Sequence, residues 1–301
     1  MWGRFLEERM DMDEEDVRRL RITPKTYLPV TLSIILTWLC VLITGYAGII
    51  FPKPIITPVE EPSPTAPPAQ ALSNPAPYIN TLIVIGLIGV SSIIILYIAS
   101  RKPRILRILV ACLAWLVSFS ITTLHLLNIS LILDPWIFNL WIPLASIAAT
   151  IITYLLIFRG GEIATSFAAS YIASGAGGII GMSIPYWTFL TLVAAISIYD
   201  ILAVYKGHLS HLTRQDAPIL RGLAVEVGDL VIGLGDLFFY SLTVSAIIWN
   251  YGFIHGIMAS IMILIGYTIV LMLLRRSKIL PGLPIPLTLA LITVLISIFR
   301  A

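Results

Sequence analysis

The chain has 301 residues, of which 58% are hydrophobic and 12% charged, with a mean hydropathy of +0.96. A soluble domain of this length needs a polar coat that such a composition cannot supply. Apolar runs of about 20 residues recur throughout, and lipid admits such runs only as helices, so an all-α, polytopic membrane protein is expected. The net charge of +3 does not point to nucleic acid as a partner, because Lys and Arg lie in short segments between apolar runs, where they set orientation in a bilayer.

Residues 1–27 mix both signs of charge without an apolar core, which reads as a cytoplasmic polar arm and not as a signal peptide. Nine spans follow, at about 28–51, 78–100, 105–127, 136–158, 162–182, 184–205, 227–248, 252–274 and 281–299. The first five form an N-terminal bundle over 28–183, and the last four make up 184–301. The connector over 52–77 is rich in proline and is expected to be an extended, disordered tether outside the membrane. Gly181 to Trp187 leave room for only a tight turn between the fifth and sixth spans. No internal repeat is visible, which argues against an inverted-repeat transporter.

Charge sets the orientation. Arg18, Arg19, Arg21 and Lys25, then Arg101, Lys102 and Arg104, then Arg159, then Lys206, Arg214 and Arg221, then Arg275, Arg276 and Lys278 all fall in alternate segments. The other set holds Lys53, Arg300 and little else. The N-terminus is therefore expected in the cytoplasm and the C-terminus outside.

Two carboxylates interrupt this apolar pattern: Asp200 in SIYDILAVY and Asp236 in VIGLGDLFFYS. Asp200 lies six residues before Lys206 and Asp236 seven after Asp229, so at about 1.5 Å per residue both sit at similar depth. Intramembrane acids are costly and usually face a protein interior or a wet cavity. A structural acid held by a hydrogen bond is the bland alternative, which two acids at one depth on neighbouring spans disfavour. A close pair shares one proton and titrates jointly. Its ionised member can take a proton from water while the protonated member polarises a carbonyl, which is aspartyl-protease chemistry without metal or cofactor. Gly233 and Gly235 leave room beside Asp236 for an extended peptide or water, or else pack two spans closely. In ILPGLPIPL, Ile279 to Leu287, three prolines disfavour regular helix at the start of the last span, although proline also suits a helix's first turn.

Tyr199-Asp200, then Gly233-Leu234-Gly235-Asp236, then a proline-rich element opening the final span resemble the YD, GxGD and PAL motifs of the presenilin and signal peptide peptidase family, the intramembrane aspartyl proteases. The resemblance implies a nine-helix presenilin-like fold with Asp200 and Asp236 as the catalytic dyad. Tyr199, Gly233, Leu234 and Gly235 would shape the site, and Pro281, Gly282 and Leu283 would correspond to PAL. It makes 184–301 the catalytic portion and implies transmembrane helical peptides or proteins as substrates. The middle Ala of PAL is Gly282 here, small for small, which preserves the fold while loosening it. The loop from Lys206 to Glu226 is shorter than presenilin's and lacks the hydrophobic insertion associated with self-cleavage, so activity is expected from one uncut chain. The cytoplasmic N-terminus matches presenilin and not signal peptide peptidase. A chain this short resembles a stand-alone prokaryotic, archaeal homologue that needs no accessory subunits and leaves a homo-oligomer open.

A cation channel or proton-coupled transporter using the same acids is the rival reading, and it predicts acids spread along a path. A degenerate protease fold serving as a membrane chaperone or binding protein is a third, and the intact aspartates argue against it. Asp134 and Glu162 lie near span ends and read as interfacial. His208 and His211, three apart in a loop, read as solvated and not as metal ligands, and His125 and His255 as hydrogen-bonded near span ends. Asn128-Ile129-Ser130 matches a glycosylation sequon but lies very near the membrane. Gly177 and Gly181 form a GxxxG helix-packing pattern. Cys40 and Cys112 read as packing residues within spans.

Overall fold

The computed structural model describes residues 22–48, 59–133, 141–206, 222–228, 230–275 and 280–298. Most of the N-terminal arm, Asp134, His208 and His211 lie outside the described residues. Ten helices and one hairpin follow in chain order: α1 Pro24–Ala47, α2 Pro68–Ser73, α3 Ala76–Arg101, α4 Pro103–Leu133, α5 Trp141–Arg159, α6 Glu162–Ser183, α7 Tyr186–Lys206, β1 Ala224–Val227, β2 Leu230–Gly233, α8 Leu234–Tyr251, α9 Phe253–Leu274 and α10 Pro284–Ile298.

Seven of these helices, α1, α3, α4, α5, α6, α7 and α9, are long and apolar enough to cross a membrane. The other two expected spans are shorter: α8 has 18 residues and α10 has 15. The seventh span was expected from about 227, but its helix starts at Leu234. Residues 224–233 instead form an antiparallel hairpin, with Val227 opposite Leu230 and Ala224 opposite Gly233. Its period-two burial suits a strand, and Gly228 takes φ +59 at the turn. The tight turn between spans five and six holds, since α6 ends at Ser183 and α7 starts at Tyr186.

The architecture is centred on α8. From Phe239 to Ile248 every residue is buried, and the main core joins α1, α6, α7, the hairpin, α8, α9 and α10. By contrast, the most apolar window of α3 has no buried residue, and Leu82, Ile93 and Tyr97 are among its outward-facing side chains. In lipid, close packing and not hydrophobicity drives helices together, so small residues mark the seams. A Cβ on Gly177 would stand 2.5 Å from the Phe238 carbonyl oxygen, and one on Gly181 would press on the Leu242 carbonyl. Ser245 Oγ donates across the same seam to the Gly178 carbonyl at 2.6 Å. The GxxxG pattern thus packs α6 onto α8.

The proline-rich connector departs from expectation. From residue 59 it is folded over the start of α7. Trp187 N–H donates to Glu61 Oε1 at 2.9 Å, and Thr188 donates its N–H and its hydroxyl to Oε2 at 2.8 and 2.9 Å. Glu61 therefore satisfies donors that the first turn of α7 cannot satisfy itself, and its charge complements the helix dipole. Asn80 of α3 exchanges two hydrogen bonds with Val59, and Ala71 of α2 is buried against Tyr186 and Trp187. Composition alone suggested a tether because it cannot show a tertiary partner.

Three smaller expectations also change or sharpen. Asn128 is fully buried and donates to Thr44 Oγ1 at 3.3 Å, so the sequon is closed to modification. His255 Nδ1 meets the Tyr251 carbonyl at 2.7 Å as expected, whereas His125 Nδ1 is buried without a partner among the described residues. Cys40 is buried in the core, but Cys112 faces outward.

Candidate active site

Asp200 lies in the last third of α7 and is half-buried. Asp236 lies in the first turn of α8, three residues after Gly233, which caps the helix in an extended conformation. The hairpin delivers it there: β2 ends at Gly233, and Leu234 N–H donates to the Leu223 carbonyl at 2.8 Å, closing the strand pair just before the helix starts.

A third segment brings the two acids together. Residues 281–283 are not helical and α10 starts only at Pro284, with proline in its first turn. Leu283 N–H donates to Asp200 Oδ2 at 2.9 Å. Gly282 also abuts the other acid, since a Cβ placed on it would stand 2.7 Å from Asp236 Oδ2 and 3.1 Å from Cγ. Consecutive residues of one short loop thus touch both carboxylates. Gly233 flanks Asp236 on another side, where a Cβ would lie 3.7 Å from Oδ2.

The remaining expected site residues divide. Pro281 and Leu283 are buried and fix the loop, and Leu234 packs against the core. Gly235 is exposed, and a Cβ there would meet nothing within 4 Å, so it leaves open space beside Asp236. The Tyr199 hydroxyl donates toward Ser92 Oγ of α3 at 3.5 Å. Among the described residues no group of three or more His, Cys, Asp or Glu is placed to hold a metal.

Two residues of the site were not anticipated. Tyr240, one helical turn after Asp236, donates its hydroxyl to the Gly282 carbonyl at 2.8 Å. Gly266 of α9 admits the first turn of α10, just beyond the loop, where a Cβ would meet Pro286 Cα at 2.5 Å. Tyr240 carried a signal, because a phenol within a buried helix needs a hydrogen-bond partner. Gly266 carried none that separates it from other small residues in spans.

The comparisons bear on this arrangement. A family model described as signal-peptide peptidase, presenilin aspartyl protease matches residues 59–220, more than half the chain, including Asp200 and ending before Asp236. Two solved structures described as a presenilin family intramembrane aspartate protease resemble most of the chain. One, from C222 crystals, matches with a TM-score of 0.62 and 18% identity over 93% of this chain and 100% of its own. The other, from P2 crystals, gives 0.61 and 17% over 93% and 99%. At these identities the likeness establishes the fold, including the region beyond residue 220. No curated protein matches the chain.

Proposed function

The chain belongs to the signal-peptide peptidase and presenilin family of aspartyl proteases, and on that premise we propose that Asp200 and Asp236 hydrolyse peptide bonds within transmembrane helical substrates. The observation that carries this is the shared loop, with Leu283 N–H on Asp200 and Gly282 against Asp236. Two acids drawn onto consecutive residues form one site that holds one proton between them. Water loses a proton to the ionised carboxylate as its oxygen attacks the substrate carbonyl carbon, and the protonated carboxylate donates toward the carbonyl oxygen. The tetrahedral intermediate collapses by breaking the C–N bond, a proton passes to the departing nitrogen, and one proton again remains on the pair. The pair titrates jointly, so neither residue is assigned the acid role.

A helical substrate has its carbonyls bonded internally and must unwind before attack. β2 runs directly into Gly233 and the dyad, and β1 is its one partner among the described strands, so its second edge is a natural receiver for an extended segment. The proline loop, with carbonyls not used in helix, is the other. The basic segments orient the protein with its N-terminus in the cytoplasm.

The experiment is cleavage of a single-span helical peptide by the purified protein in liposomes, with products identified by mass spectrometry. Asp236→Asn and Asp200→Asn should both be inactive, and the latter keeps an acceptor for Leu283 N–H. Cleavage retained by either folded variant would refute the dyad. A wild type that cuts nothing while conducting cations would favour transport.

A further inference from the structure

We propose that Tyr240 is a positioning residue for the dyad, its hydroxyl setting the 281–283 loop at the height from which the loop reaches both aspartates. This rests on the reading of Asp200 and Asp236 given above. The loop has little means of holding itself. Pro281, Pro284 and Pro286 supply no backbone N–H. The N–H of Leu283 is committed to Asp200, and the first hydrogen bond of α10 runs from Leu287 N–H to the Leu283 carbonyl at 3.0 Å. Shape confines the first turn of α10 that follows it, where Pro286 sits against Gly266. For the loop itself the specific tie is Tyr240, 1% exposed, donating to the Gly282 carbonyl at 2.8 Å.

Position on the helix makes that tie consequential. Tyr240 and Asp236 are four apart on α8, hence on one face about 6 Å apart at Cβ. One rigid helix therefore presents both the carboxylate that Gly282 abuts and the hydroxyl that fixes Gly282. The spacing between Asp236 and the loop is set within a single turn, and Leu283 N–H carries the setting to Asp200. A phenol present only to fill the core would serve equally well as phenylalanine, which is the discriminating comparison.

The test uses the full chain in liposomes and compares Tyr240→Phe with Tyr171→Phe. Tyr171 shares a partly buried hydrogen bond with Thr122 at 2.7 Å, on α6 and α4, and packs against a separate cluster of Ile157, Ala168 and Ile172. Two readouts are taken: kcat and KM on the single-span peptide, and amide exchange of residues 282–288 by mass spectrometry. For Tyr240→Phe we expect faster exchange in that segment and a kcat lower by about tenfold, the scale of one lost hydrogen bond, with KM within about twofold. For Tyr171→Phe neither readout should move. Unchanged exchange in Tyr240→Phe, or an equal fall in kcat in both variants, overturns the proposal. Exchange is independent of turnover, so a wild type without cleavage would refute the dyad while the exchange comparison still decides whether Tyr240 holds the loop.

Discussion

Replacing Gly282 by alanine separates two accounts of the loop. Side-chain size alone treats the change as neutral, since the related family motif carries alanine at this place. Here a Cβ on Gly282 would lie 2.7 Å from Asp236 Oδ2, 3.1 Å from Cγ and 3.4 Å from Oδ1. Ordinary contact begins near 3.4 Å, so the nearer oxygen must retreat by about 0.7 Å. Stability should barely register this. Crowding costs about 1–3 kcal/mol in a rigid core, but a carboxylate at the end of two torsions yields at the low end of that range. Removing glycine from the unfolded chain offsets about 0.4–1 kcal/mol. Catalysis is less forgiving, because a misplacement of about 1 Å in a reacting group can cost about a hundredfold. The expected result is an unfolding temperature within about 2 °C of wild type and a cleavage rate at saturating peptide lower by about ten- to a hundredfold. A rate equal to wild type would refute the reasoning, and would mean that the loop and not the carboxylate gives way.

Other perturbations test the supports of the site. Gly177→Val places its Cβ 2.5 Å from the Phe238 carbonyl oxygen and 3.0 Å from the Leu242 nitrogen, both backbone atoms that cannot rotate away. It should cost about 1–3 kcal/mol by thermal or denaturant unfolding, whereas Gly86→Ala, with nothing within 4 Å of its Cβ, should be nearly silent. Glu61→Ala leaves the Trp187 and Thr188 donors without their acceptor and should destabilise by about 1–2 kcal/mol, with faster proteolysis between residues 59 and 75. Unaltered protease sensitivity would dissociate Glu61 from the fold of the connector. Substrate peptides stiffened by helix-favouring residues at the cut site should be cleaved more slowly than glycine-containing ones of equal length, and equal rates would count against unwinding before attack.

What the sequence disclosed and what it hid divide along a physical line. The aspartates were legible because an ionisable group in an apolar run has few affordable explanations. The turn at 183–186, the α6–α8 glycine seam and the interrupted start of the last span were legible because Gly and Pro constrain their own backbone. The hairpin was missed although its signal was present, with Ala224 to Val227 and Leu230 to Gly233 alternating around a glycine. The stretch from Leu230 to Tyr240, apolar apart from Asp236 and the glycines before it, favours one continuous helix, whereas α8 starts at Leu234, seven residues later than expected. That error matters for function: a helix beginning at 227 would bury Asp236 mid-span, whereas one beginning at Leu234 sets it in a first turn beside an exposed Gly235. The remaining omissions have one cause. Glu61 stands among prolines and Tyr240 among apolar residues, and each is defined by a partner far along the chain, Trp187 at 126 residues and Gly282 at 42. Local chemistry identifies groups able to react, but their fixed spacing comes from such long-range ties. The residues that touch the 281–283 loop and the helix start after it are therefore among those whose own sequence context is least distinctive, and variants of Tyr240 and Gly266 test the proposed mechanism more sharply than further changes within the GxGD segment.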